Sequence, residues 1–137
     1  MFEGKHVVVT GGSSGLGLAL ARELAAKGAI ITIIARSKEK LQTAKAEIAQ
    51  AGGRVHVFSA DVSKMESITE TFKKIASEVG PPDILVNSAG ILREGYFDKL
   101  SMETFREVIE TNYFGVLHSI KAALPYIIKQ KGRIVNI

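Results

Sequence analysis

Short apolar runs alternate along the chain with segments of helical period. Lys5-His6-Val7-Val8-Val9 is apolar and β-branched and predicts a buried strand over about 5–10. A glycine-rich turn follows, Thr10-Gly11-Gly12-Ser13-Ser14-Gly15-Leu16-Gly17. Leu16, Leu20 and Leu24 then stand at helical spacing in a helix over about 15–27, which Gly28 can cap. A second strand, 29–35, has six apolar residues among its seven, the composition of a parallel strand covered on both faces. Ser37 can cap a second helix that carries Leu41, Ala44 and Ile48 on one side and stops at Gly52-Gly53.

The alternation continues. A third strand is predicted over Arg54–Ala60. A third helix starts at Ser63, where Glu66 completes a capping box, and buries Ile68, Phe72, Ile75 and Val79 before Gly80-Pro81-Pro82 ends it. A fourth strand, Asp83–Asn87, leads into Ser88-Ala89-Gly90 and a polar loop from about Ile91 to Leu100. Ser101 caps a long helical region in which Phe105, Val108, Ile109, Phe114, Leu117 and Ile120 keep register, with a kink at Pro125. A fifth strand begins at about Arg133. Strictly alternating strands and helices predict an α/β fold: one doubly wound parallel sheet over 1–137, of Rossmann type, in the order 3-2-1-4-5. A ligand then belongs beyond the carboxyl ends of strands one and four, where the winding reverses.

Composition narrows the field. A chain of 137 residues, 46% of them hydrophobic, can bury a core and is not disordered. The net charge of +4 comes without a Lys/Arg block, so no nucleic-acid partner is expected. The absence of cysteine removes disulfide and thiolate chemistry and suits a reducing compartment. His6, His56 and His118 lack metal-ligand spacing and read as structural, so no metal is expected. No apolar stretch has the length of a membrane helix, and the first residues lack the apolar core of a signal peptide; a cytoplasmic location is expected.

Strand, glycine-rich turn and helix in that order form the setting of a phosphate-binding loop: glycines admit close backbone approach, and the first helical amides point at an anion. The bland alternative is a turn that merely packs a helix on a sheet. The second strand ends at Ala35-Arg36, where dinucleotide folds often place an acid for the ribose hydroxyls. A guanidinium there suits a 2′-phosphate and selects NADP over NAD, unless Arg36 is only a surface residue. Ser13 and Ser14 can add hydroxyl donors.

The turn Gly11-x-x-x-Gly15-x-Gly17 resembles the T-G-x-x-x-G-x-G element of the short-chain dehydrogenase/reductase family, and Asn87-Ser88-Ala89-Gly90 resembles its N-N-A-G, with Ser88 in place of the second asparagine. Asp61 and Asn112 also stand in family order and spacing, so the likeness covers essentially the whole chain. Val7–Gly15 together with Ala35-Arg36, Lys40-Leu41 and Ala44-Lys45 is similar to the 3-ketodihydrosphingosine reductase branch.

The resemblance implies cofactor contacts at Thr10, Gly11, Ser13, Ser14, Gly15, Leu16 and Gly17, then at Arg36, Asp61, Val62, Asn87, Ala89 and Gly90. It implies that Asp61 accepts from the adenine amino group, where an ordinary Asp turn is the alternative. Asn87 ties strand four to its neighbours, and Ala89 and Gly90 admit the cofactor ribose. Asn112 organises a water and a catalytic lysine in a proton relay; without the family it would read as a satisfied buried amide. The activity implied is hydride transfer between NADP(H) and a ketone or secondary alcohol, by a homo-oligomer whose long helix forms the contact.

The family's catalytic serine and Tyr-x-x-x-Lys are expected beyond strand five. Tyr96, Tyr113 and Tyr126 are followed four residues later by Leu100, Leu117 and Gln130, so none forms that pair. The run Arg133–Ile137 reads as an interior strand, and the expectation is an incomplete domain, the cofactor-binding half of a longer enzyme, inactive by itself. A non-catalytic dinucleotide-binding or redox-sensing module is the alternative.

Overall fold

Five parallel strands form one sheet in the order β3-β2-β1-β4-β5: β1 (His6–Thr10), β2 (Ile30–Ala35), β3 (Arg54–Ser59), β4 (Ile84–Asn87) and β5 (Arg133–Asn136). The structure is a computed structural model that describes all residues, Met1–Ile137. β1 is central, paired with β2 from His6↔Ile30 to Thr10↔Ile34 and with β4 from Val7↔Ile84 to Thr10↔Asn87. The doubly wound α/β architecture and strand order expected from the alternation are those observed.

Alternate residues of the central strands feed two cores. Val7, Val9, Ile31 and Ile33 face α1 (Gly15–Ala26) and α2 (Lys38–Gln50), meeting Ala21, Leu24, Leu41 and Ile48. Val8, Ile34 and Leu85 face α3 (Met65–Glu78) and α5 (Gly115–Lys129), meeting Phe72, Ile75, Ala123 and Ile127. Each fully buried side chain of this kind stabilises by about 1.5–3 kcal/mol, which is why β1 and β2 tolerate almost no polarity. The exceptions on the second face pair with each other, His6 Nε2 lying 2.8 Å from Thr32 Oγ1.

Three local expectations are corrected. In α1 the buried row is Gly17, Ala21, Leu24 and Ala25, while Leu16 is 60% exposed. Small residues face the sheet because the helix start lies against the turn, where a Cβ on Gly17 would strike the Gly11 carbonyl oxygen. Ser63 does not start α3: Lys64 is the N-cap and makes no side-chain cap bond. The Ser63 amide and hydroxyl instead donate to Asp61 Oδ1, at 2.9 and 2.7 Å, so Asp61 closes a turn of its own.

The long helix is not one register. α4 (Met102–Ile109), capped by Ser101 Oγ accepting from the Thr104 amide, buries no residue. A π turn, Glu110–Phe114, follows, and α5 buries Gly115, Ser119, Ala123 and Ile127. Of the residues expected on the covered face, Ile109, Phe114 and Leu117 are exposed and Phe105, Val108 and Ile120 half-buried. The π turn adds a residue, and the face that meets the sheet changes at that point. No helix is long and apolar enough to cross a membrane.

Candidate functional site

All strands run the same way, so their carboxyl ends lie along one edge of the sheet, and the turn after each opens there. β1 stands between β2 and β4, so the chain leaves it with crossovers departing to opposite sides. A cavity of about 560 Å³ occupies this position. The turn after β1 contributes Gly11, Ser13 and Ser14 to its wall, and the end of β2 contributes Ala35 and Arg36. Asp61 and Val62 enter from the turn after β3, and Ala89 and Gly90 from the turn after β4. Eight of the expected contact residues therefore converge: Gly11, Ser13, Ser14, Arg36, Asp61, Val62, Ala89 and Gly90.

The two turns beside β1 are fitted backbone to backbone. Gly11 has φ +68°, a conformation that L side chains rarely adopt, and a Cβ on it would lie 2.7 Å from the Ala89 Cα. Thr10 is buried, and its Oγ1 accepts from the Ser88 and Ala89 amides, both at 3.3 Å. Asn87 is also buried, and its Nδ2 donates to Asn136 Oδ1 at 2.8 Å, joining β4 to β5. Thr10 and Asn87 thus set the floor of the cavity without lining it. Gly15, Leu16 and Gly17 also lie outside the wall, in the first turn of α1, whose N-cap Ser14 makes no side-chain cap bond.

Asn112 stands apart from the wall and acts on it. Its Oδ1 accepts from the Ile91 amide and its Nδ2 donates to the Ile91 carbonyl, each at 2.8 Å. This pair of bonds holds Ile91, which lines the cavity, against the π turn. Gly90 leaves room for it, since a Cβ there would sit 3.3 Å from Asn112 Oδ1.

Seven lining residues are not among the expected contacts: Ile34, Ala35 and Ala60, which are apolar residues at strand ends, and Ser37, Lys40, Ile91 and Thr111. Ser37 and Lys40 follow Arg36, and their signal was available: Lys40 lies one helical turn beyond the Ser37 cap. Ile91 and Thr111 gave none, because the first is an apolar loop residue and the second is brought round by the π turn. A second cavity of about 390 Å³ shares Ser13, Ser14, Ser37 and Lys40 with the first, so these four make a polar shelf open on both sides.

Charge is the distinguishing property of this shelf. Arg36 and Lys40 are exposed, and neither takes part in an ion pair. Both border the N-terminal end of α2, where the helix dipole is already positive. Asp61 is the one carboxylate in the wall of the larger cavity, and one of its oxygens is engaged by Ser63. The arrangement can receive an anion on the β2 side: two exposed cations and the three hydroxyls of Ser13, Ser14 and Ser37, with glycine backbone on the β1 side. No group of three or more His, Cys, Asp and Glu side chains is placed to hold a metal.

The sequence profile described as short chain dehydrogenase matches residues 5–137. The 3-ketodihydrosphingosine reductase of Bos taurus is 41% identical over 138 residues, covering 96% of this chain and 42% of that protein. Among solved structures, an F189W actinorhodin polyketide ketoreductase with NADPH superposes with a TM-score of 0.91 at 34% identity, covering 97% of this chain and 52% of that one. An NAD+-bound xylitol dehydrogenase superposes with a TM-score of 0.91 at 32% identity, covering 98% and 53%. The chain spans about half the length, or less, of the curated relatives it matches.

Proposed function

The chain belongs to the short-chain dehydrogenase family, and from that premise we propose that the protein is an NADP(H)-dependent oxidoreductase acting on a ketone or secondary alcohol, with residues 1–137 forming its dinucleotide-binding part. The observation that carries the cofactor choice is the unpaired Arg36 and Lys40 at a β2 terminus that lacks a carboxylate. Arg36, Lys38 and Lys40 outnumber Glu39 at the start of α2, and a ribose 2′-phosphate answers that excess of positive charge.

The other residues divide the remaining work. Amides after Gly11, in the turn and the first turn of α1, receive the pyrophosphate, with Ser13 and Ser14 beside it, while the Gly11 amide itself donates to the Ile34 carbonyl. Asp61 keeps one carboxylate oxygen free of Ser63 and offers it to the adenine amino group, against the apolar side chain of Val62. Ala89 and Gly90 leave space for the ribose on the β4 side, on a floor held by Thr10 and Asn87. Asn112 holds Ile91 with one bond from each side-chain polar atom, which leaves a second lone pair on Oδ1 and a second N–H on Nδ2 for a proton relay. The bound nicotinamide supplies or accepts the hydride, and the protein orients it.

The substrate side is supported by the loop after Ile91, where Leu92, Tyr96 and Phe97 present exposed apolar side chains. These favour a carbonyl carried on an apolar body, in keeping with the relative that reduces 3-ketodihydrosphingosine. Ile109, Tyr113, Phe114 and Leu117, exposed along the helical rod, support a homo-oligomer.

Catalysis by the full-length protein is tested by ketone-dependent NADPH oxidation at 340 nm. Turnover is expected there and none from residues 1–137 alone, in which no tyrosine is paired with a lysine four residues on. Full-length protein that binds NADPH tightly yet oxidises it with no ketone or aldehyde would favour a non-catalytic dinucleotide-binding module.

A further inference from the structure

We propose that His118 is a positioning residue for the adenine side of the cavity, acting through the backbone carbonyl of Val62. The identity of the ligand rests on the dinucleotide reading above; the grip of His118 on the wall rests on geometry alone.

Val62 is 7% exposed and lines the cavity beside Asp61, in the turn from β3 to α3. The two halves of this turn are held by different means. Asp61 is fixed locally: Oδ1 accepts from the Ser63 amide and hydroxyl, and its own amide donates to Ser67 Oγ at 3.3 Å. Val62 is fixed from α5, more than fifty residues away in sequence, at two points one helical turn apart. A Cβ on Gly115 would lie 2.7 Å from Val62 Cγ2, so the absence of a side chain there lets the helix come this close. Three residues on, His118 Nδ1 lies 2.8 Å from the Val62 carbonyl oxygen. A carbonyl only accepts, so Nδ1 carries the proton, and the bond fixes the orientation of the Val62 peptide.

The consequence is that one helical rod sets two walls. Its π turn holds Ile91 through Asn112, on the β4 side. Its next turns hold Val62 through Gly115 and His118, on the β3 side. Removing the imidazole should therefore release the adenine wall and leave the β4 wall where it is.

The test uses full-length protein and two half-ligands, adenosine 2′,5′-bisphosphate for the adenine side and reduced nicotinamide mononucleotide for the other, together with NADPH. His118→Ala should weaken the bisphosphate and NADPH by roughly two- to tenfold, the loss of one net hydrogen bond, and leave the mononucleotide unchanged. His118→Asn, whose amide nitrogen can donate from near the Nδ1 position, should restore binding, whereas His118→Gln should not. Equal weakening of both half-ligands in His118→Ala would mean general loosening and would overturn the proposal, as would unchanged binding of the bisphosphate or an asparagine variant that behaves like alanine. If wild-type protein binds neither the bisphosphate nor NADPH, the dinucleotide reading falls and this proposal with it. Tight wild-type binding that His118→Ala leaves intact overturns the role of His118 alone.

Discussion

Replacing Arg36 and Lys40 by alanine, singly and together, should turn a cavity selective for a phosphorylated ribose into one indifferent to it. A hydrogen bond to a charged group contributes about 1.5–3 kcal/mol, and 1.4 kcal/mol is a factor of ten in affinity. Arg36 directly follows β2, where its backbone carbonyl accepts from Ser59 Oγ at 2.9 Å, so its backbone is anchored, and its planar fork can pair two oxygens at once. It should supply the larger share, about 10- to 100-fold. Lys40 is exposed on a flexible stem and behaves as a screened point charge, worth about 0.2–1 kcal/mol, or a few-fold. Neither residue loses a salt-bridge partner when truncated, because neither is in an ion pair. Removing Lys40 even relieves a like charge at the start of α2, by a few tenths of a kcal/mol. The expected pattern is therefore a fall in NADPH affinity with no fall in the melting temperature of the free protein, and no change for NADH. Titration of both dinucleotides into the four proteins at low and moderate salt reads all of it. The two side chains address one phosphate, so their effects should be coupled in the double variant. Equal affinities for NADPH and NADH in wild type, or a preference that survives in the double variant, would refute the argument.

Gly17→Val should abolish NADPH binding while the far-ultraviolet circular dichroism stays that of an α/β protein, because the added side chain meets the Gly11 carbonyl and Ser88 Oγ and drives α1 away from the turn. Wild-type affinity in that variant would remove the turn from the phosphate site. Acid should destabilise the fold through His6, which is 5% exposed, and whose pKa burial pushes below the ordinary 6.5 against a smaller opposing effect from the backbone of Pro81 and Gly80. The folded state holds the ring neutral, so the unfolded chain binds more protons just below pH 6.5; stability is complete above that value and is lost as pH falls through it. His56 is shifted the same way, again chiefly by burial, so His6→Leu should lower the slope of urea stability between pH 7.5 and 5.5 without flattening it. Identical slopes in wild type and variant would exclude His6 as a contributor.

The strands were legible because parallel strands buried on both faces have no polar side to confuse the pattern. Ile30–Ala35 and Ile84–Asn87 lie within one residue of the expected runs. The site was legible for a related reason. In a parallel sheet the turn after every strand opens on the same edge, so Gly11, Arg36, Asp61 and Ala89 need no long-range information to be placed together. Their individual jobs were less visible. Thr10 and Asn87 look like cofactor contacts in sequence, and in the fold the Thr10 hydroxyl and the Asn87 amide nitrogen also join strand ends, while Asn87 Oδ1 is buried without a partner. Helix phase was the weakest signal. Leu16, Leu20 and Leu24 are the more hydrophobic row of α1, but the sheet takes Gly17, Ala21 and Leu24, since the helix must lie close to the glycine turn.

The π turn explains why the rod from Ser101 to Lys129 defeated a reading by period. A period of 3.6 carried across it projects a single apolar stripe, whereas the real rod has two faces joined by a five-residue turn in which the Gly115 amide donates to the Glu110 carbonyl. Beyond the turn, the row that meets the protein is Gly115, Ser119, Ala123 and Ile127, mostly small residues, and Ser119 returns its hydroxyl to the Gly115 carbonyl at 2.9 Å. Small residues permit an approach that larger ones would prevent, and at Gly115 that approach is what places His118 on the Val62 carbonyl. Within the turn itself, Thr111 faces the cavity while its neighbour Asn112 reaches Ile91. A regular helix would turn successive residues by a fixed step and carry the α4 phase unbroken into α5. The irregular turn lets the same rod grip the β4 loop at Asn112 and the β3 loop at Gly115 and His118, so the feature that hid this helix from the sequence pattern is the one that couples it to both walls of the site.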